Sequence, residues 1–178
     1  SRSQQCARAE SDIGDAIEAI HWPIDADEFI LNPVPKGNGV KPIKDGFVTL
    51  LTSRGWEHEI RPRLFDAQLT FGGDAKPFGA EWETGNVSSS HRAINRLLLA
   101  SYQGAFVGGV LIVPSRKTYR YLTDRIGNAS ELEPYYPLWR SYGQTNACTY
   151  LGIVVVEHDA LDPSVPLIGK GTDGRALI

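Results

Sequence analysis

The chain has 178 residues, a formal net charge of −3 at pH 7, 42% hydrophobic residues and 22% charged residues. That size suits one domain, or one domain with a short appendage, and lets about 70% of the unfolded chain's surface be buried without staples. The composition excludes a long disordered chain, a collagen and a coiled coil, and apolar runs such as that at 151–156 are far short of the roughly 20 residues a bilayer requires.

The charge balance sets up no global basic field for nucleic acid, but binding depends on where Lys and Arg sit rather than on their sum. Cys6 and Cys148 stand far apart in a chain large enough to fold without a bridge. Two thiols in a reducing compartment are therefore expected, not a disulfide. Residues 1–10 are polar, carry Arg2 and Arg8, and lack an apolar h-region, so no signal peptide is expected.

In chain order, Ile13, Ile17 and Ile20 follow Ser11 and Asp12 at helical spacing and predict an amphipathic helix starting there. Residues 32–45 read as loop, with Pro33, Pro35, Gly37, Asn38, Gly39 and Pro42, and carry Lys36, Lys41 and Lys44, solvated by default although within reach of phosphates. A short helix follows on Phe47, Val48, Leu50 and Leu51, stopped by Gly55. From Trp56 the period changes to two. Residues 57–61 alternate until Pro62; 64–71 sets Phe65, Ala67 and Leu69 against Asp66, Gln68 and Thr70; after a turn at 72–77 a third strand runs over 78–84. These form an antiparallel meander.

Ser88, Ser89 and Ser90 then cap a helix to 102, with Ile94, Leu97, Leu98 and Tyr102 on one face and Arg92 and Arg96 opposite. Residues 106–113 predict a buried strand ended by Pro114, 117–126 a helix closed by Gly127 and Asn128, and 150–157 a second buried strand. Between the last two, 131–142 reads as irregular or briefly helical, and the chain past Asp159 as a loose end. The fold class is α/β: a mixed central sheet with an antiparallel meander and a crossover helix, the later strands central, in a single domain over 1–178.

The sharpest constellation is Asp66 on one strand with Glu81 and Glu83 on the next. Residues i and i+2 of a strand share a face, so both glutamates point the same way, and an antiparallel neighbour can bring Asp66 beside them. Three carboxylates on one face repel unless a divalent cation collects them, which is how a site for metal-assisted phosphodiester cleavage is built. The same spacing also fits a solvated strand face. Just downstream, Asn86, Ser88, Ser89, His91 and Arg92 offer hydrogen-bonding groups and cations at a helix N-terminus, suited to phosphate or base edges or to an ordinary cap. Trp22, Trp56, Trp139, Tyr135 and Tyr136 read as packing, and His158 with Asp159 makes no triad.

In order along the chain, these pieces resemble the PD-(D/E)XK nuclease core, and within it the type II restriction endonucleases of the BglII/BstYI/BamHI type. The resemblance rests on Glu81-Trp82-Glu83-Thr84-Gly85-Asn86, Arg54-Gly55-Trp56, Gly108-Gly109-Val110-Leu111-Ile112-Val113-Pro114 and Tyr150-Leu151-Gly152-Ile153-Val154, within residues 40–158. It implies a homodimer that hydrolyses double-stranded DNA with Mg²⁺ at a short palindrome, with a GATC centre as the first site to test. Asp66 and Glu81 resemble the metal-binding acids. Glu83 falls where most of the superfamily has Lys, the BglII type has Gln and BamHI has Glu, so it would hold a metal or take a proton from water. Asn86 matches a base-contacting position; Arg125, Asn128 and Ser130 lie where a second base-reading loop stands. Arg92, Arg96, Lys117, Arg120 and Arg125 would form the electrostatic footprint, and Glu59 an auxiliary acid. A cytoplasmic protein with no membrane partner follows from the same resemblance. The alternatives are another PD-(D/E)XK nuclease acting in repair or on modified or branched DNA, an inactive DNA-binding relative, and a protein whose acids merely face water.

Overall fold

The computed structural model describes residues 2–58, 65–72, 76–83, 85–123, 126–145 and 150–170. Its helices are α1 (Arg2–Glu18), α2 (Lys41–Ser53), α3 (Val87–Tyr102), α4 (Arg116–Tyr119), α5 (Ala129–Leu132) and α6 (Tyr136–Thr145), with a 3-10 turn at Glu133–Tyr135. The strands are β1 (Ile30–Leu31), β2 (Glu57–His58), β3 (Ala67–Leu69), β4 (Phe78–Trp82), β5 (Gly108–Pro114), β6 (Tyr150–Val156) and β7 (Ala160–Leu161). One mixed sheet runs in the order β2-β3-β4-β5-β6. Its first three strands are the antiparallel meander, β4, β5 and β6 are parallel, and α3 is the crossover between β4 and β5.

Strand β5 is buried on both faces and divides the core by period two. Val110 and Ile112 join Ile13, Phe47, Leu51, Trp56, Phe78 and Trp82 on the side of α1 and α2. Leu111 and Val113 join Phe65, Ile94, Leu97, Leu132 and Trp139 on the side of α3, α5 and α6. The result is a helix–sheet–helix sandwich. Aromatic contacts tie the layers: Phe47 lies 5.1 Å from Trp82, and Phe65 meets Phe106 edge-on at 4.9 Å.

Several elements differ from the sequence expectation. Helix α1 starts at Arg2 rather than at Ser11, because Ala9, and Cys6 a turn before it, carry its buried stripe back with side chains too small to register as an apolar pattern. Helix α2 begins at Lys41 instead of after residue 45, with Pro42 in its first turn, where the missing N–H costs nothing. Asn86, not the Ser88–90 run, caps α3. The helix expected over 117–126 is the single turn α4, and Asn128 opens α5 through a capping box with Glu131 rather than closing a helix. Strand β6 is an edge strand among those described, half exposed rather than central. Gly55, at φ 89°, ends α2 as expected. Trp56 and Trp139 are buried packing residues, and Cys6 is partly buried against the core. Glu59, Arg125 and Cys148 lie outside the described residues.

The chain past Asp159 is not loose as far as it is described. Strand β7 pairs with β1 in parallel, and fully buried Asn38 stitches three segments together. Its Nδ2 donates to the carbonyls of Asn32 and Tyr121, both at 2.9 Å, and its Oδ1 accepts the Ile168 N–H at 3.3 Å. Its backbone carbonyl accepts the Thr123 N–H at 2.6 Å. These bonds take up the chain just past α4 and explain why that helix stops. A Cβ on Gly39 would stand 2.0 Å from the Gly169 carbonyl oxygen, so the tail lies directly on this loop. Asn38→Ala takes the side-chain bonds from the Asn32 carbonyl and the Ile168 N–H, while the Tyr121 carbonyl keeps the Asn38 backbone N–H, and should cost about 2–4 kcal/mol. Urea unfolding of the variant checks it, and an unchanged midpoint would contradict the clamp.

Candidate active site

The acids meet at the C-terminal end of β4. Asp66, buried just before β3, accepts the Trp82 N–H on Oδ2 at 3.0 Å, and its own N–H donates to Glu81 Oε2 at 3.1 Å. The antiparallel register that pairs Ala67 with Ala80 brings these two carboxyls together. Trp82 turns into the core beside Phe47, while Glu81 and Glu83 face a cleft of about 600 Å³ with Ser89, Arg92, Asn95, Arg96 and Leu99. Glu83 lies one residue past β4 and holds the Gly85 N–H on Oε1 at 2.5 Å; Gly85 in turn accepts the Gly127 N–H at 2.8 Å.

Each layer of helices sends one cation to this cluster. Lys44, from α2, donates to Asp66 Oδ1 at 2.8 Å. Arg96, from α3, donates to Glu81 Oε1 at 2.7 Å. The cations do not fully offset the crowding. Burial, and then the Asp66 charge, push the Glu81 carboxyl from its ordinary 4.5 to about 7 against the pull of Arg96 and Lys44. Burial also raises Glu83, opposed by its bond from Gly85 and by Lys44.

An all-oxygen donor set with crowded, destabilised negative charge suits a hard divalent ion. Asp66 and Glu81 could hold it, with Glu83 alongside. With Lys44 and Arg96 in place, no three His, Cys, Asp or Glu side chains among the described residues close into a ready chelate. The metal would have to take over lone pairs that the two cations now occupy.

The other residues singled out from sequence divide into two groups. Asn86 and Ser88 are exposed at the start of α3, with Asn86 Oδ1 accepting the Ser89 N–H at 3.1 Å. Ser89 and Arg92, hydrogen-bonded to each other at 2.8 Å, line the cleft. His91 instead packs against Tyr135 at 4.4 Å and Trp139 at 5.7 Å. Asn128 is buried in its capping box, and the Ser130 N–H is bound to it. Lys117 pairs with Glu157 away from the acids, and His158 bonds to Thr118.

Lys44 was missed as a site residue, although a signal was present. Lys44, Phe47, Val48 and Leu51 fall at i, i+3, i+4 and i+7 of one helix, so Lys44 stands on the buried stripe once α2 starts at Lys41. Reading 32–45 as loop hid it.

A buried acid cluster on a mixed sheet, beside an arginine-lined cleft, defines a protein built to act on phosphate. The comparisons with known proteins specify which. The profile described as "Restriction endonuclease BamHI" matches residues 1–175. The type II restriction enzyme OkrAI of Oceanobacter kriegii is 51% identical over 175 residues, covering 94% of this chain and 88% of that protein. The type II restriction enzyme BamHI of Bacillus amyloliquefaciens is 33% identical over 190 residues, covering 99% and 86%. The chain belongs to the BamHI restriction endonuclease family. It is a site-specific deoxyribonuclease with the restriction-endonuclease fold, acting on DNA, in a family that generally needs a divalent metal. No described helix is long and apolar enough to cross a membrane.

The Glu81 shift sets a direction for stability against pH. Its folded value of about 7 lies above the ordinary 4.5, so the folded chain holds this proton more tightly than the unfolded one, and the group's contribution is lost as pH rises between those values. Metal-free Glu81→Gln, neutral at every pH, should melt above the wild type at pH 8, with the gap closing by pH 5. Thermal melts at both pH values check it; a variant that melts lower at pH 8 would contradict the assignment.

Proposed function

We propose that this single-domain enzyme cleaves double-stranded DNA as a homodimer, with Mg²⁺ held by Asp66 and Glu81, at a short palindrome. The observation that carries the site is the Asp66 N–H on Glu81 Oε2, which sets two carboxylates side by side at the mouth of a cleft lined by Arg92 and Arg96. When bound, the metal supplies neutralisation of the scissile phosphate and an acidified water. Glu83, whose affinity for protons is raised by burial, orients that water or takes its proton. Glu59 is the auxiliary acid by resemblance.

Asn86 and Ser88, exposed where α3 begins, read base edges, and Arg125 does so from the segment after α4. Arg92 and Arg120, both exposed, face the backbone phosphates. A GATC-centred palindrome is the first target to test, and the cytoplasm is where the enzyme meets DNA. Support for a dimer comes from exposed apolar side chains on the helices beside the cleft: Leu99 and Tyr102 on α3, Tyr135 and Leu138 at α6. A two-fold enzyme matches a two-fold site.

Digestion of a sequence-diverse plasmid with Mg²⁺ should give discrete bands whose ends map the site. EDTA should abolish them, and Glu81→Ala or Asp66→Asn should slow cleavage about 10³-fold or more. A smear would favour a repair or nonspecific nuclease, and no cleavage in Mg²⁺ or Mn²⁺ would favour an inactive binder. For the dimer, Tyr102→Glu with Leu138→Glu should sediment as a folded monomer and lose cleavage of the mapped site; a variant that remains dimeric would move the interface elsewhere.

A further inference from the structure

We propose that Lys44 and Arg96 are built-in counter-ions that hold the metal's place in the metal-free enzyme and are exchanged, two single charges for one double charge, when the divalent ion binds. The inference rests on the reading of Asp66 and Glu81 as metal ligands. Its basis is a symmetry in how the two acids are held. Each has one oxygen fixed by a backbone N–H: Asp66 Oδ2 by Trp82, Glu81 Oε2 by Asp66. Each has its other oxygen on a cation: Asp66 Oδ1 on Lys44 at 2.8 Å, Glu81 Oε1 on Arg96 at 2.7 Å. The backbone-held oxygens fix the carboxylates whether or not metal is present. The cation-held oxygens are those a metal has to reach.

The two cations come from opposite layers and differ in cost of release. The Lys44 side chain is 20% exposed and Asp66 4%, so this pair is largely desolvated and its ammonium is replaced only by a comparable charge. Arg96 is 47% exposed and leaves more easily. Exchange conserves charge: three carboxylates facing two protein cations become three carboxylates facing one divalent ion. The freed Lys44 and Arg96 heads are then left beside the metal, where the phosphate of a bound strand carries the matching negative charge. Lys44 so provides, from a helix, a cation near the position that Glu83 occupies in place of the superfamily's lysine. The partly neutralised cluster also keeps metal affinity low until DNA draws the cations away, which couples the two ligands reciprocally.

The test is Mn²⁺ binding to the DNA-free enzyme at pH 8.5, by calorimetry, for the wild type, Lys44→Met, Arg96→Met, Lys44→Arg and the Asp66→Asn/Glu81→Gln double variant. Removing a competing cation should tighten Mn²⁺ about tenfold for Lys44→Met and about threefold for Arg96→Met, with Lys44→Arg at the wild-type value. Metal-free Lys44→Met should melt lower than the wild type and regain more on adding Mn²⁺. Should Lys44→Met fail to fold, the wild type still decides: the Lys44 Nζ and Arg96 Nε resonances should move to solvent-exposed values as Mg²⁺ is added. Unchanged or weaker Mn²⁺ binding in folded Lys44→Met and Arg96→Met, or unmoved resonances, would overturn the exchange while leaving the metal ligands standing. Undiminished binding to the double variant would overturn both readings.

Discussion

Buried like charge is the constraint on which this structure turns. Asp66, Glu81 and Glu83 crowd one end of β4, where desolvation and mutual repulsion push Glu81 up to about 7. A fold that places carboxylates this way has to supply positive charge, and it does so from both helical layers. The acids are thereby held in register by the backbone and balanced in part by the protein itself. Destabilised negative charge faced by cations from both layers is a site suited to a divalent cation and a phosphate.

The sandwich makes that supply possible. Trp82 inserts against Phe47 on one side of β4, so its neighbours Glu81 and Glu83 are turned to the other, towards α3. The same Phe47 anchors α2, which carries Lys44 to Asp66. Core packing and active-site electrostatics therefore share residues, and neither can shift without the other. The second organising contact is Asn38, which joins the 32–40 loop, the chain after α4 and the tail at Ile168. It fixes the stem of the segment that leads through Gly127 back to Gly85 and Glu83.

Membership of the BamHI family agrees with the narrow detail of the acid motif. By resemblance Glu83 sets this chain with the BamHI member of the group, and the family match points the same way. A glutamate there leaves the strand without a cation of its own. The lysine on α2 and the arginine on α3 bring charge to the place by tertiary contact instead.

The sequence by itself determined what depends on neighbours along the chain. Period-two alternation gave the meander and Glu81 and Glu83 on one face, with Asp66 beside them, though just ahead of the adjoining strand rather than on it; the apolar run after the crossover helix gave β5; Gly55 gave the end of α2. The order of these pieces carried the family. What only the tertiary structure decided are features whose partners lie far off in sequence. Ala9 and Ala16 are helical core because α1 packs against α2 within the same apolar cluster. Lys44 is a buried ion-pair member because α2 starts early enough to aim it at Asp66. The chain from Asp159 to Lys170 is held in place because Asn38, about 130 residues before Ile168, accepts that residue's N–H. Local pattern reports what a residue prefers, but charge balance and polar satisfaction are settled only when distant segments are brought within hydrogen-bonding distance.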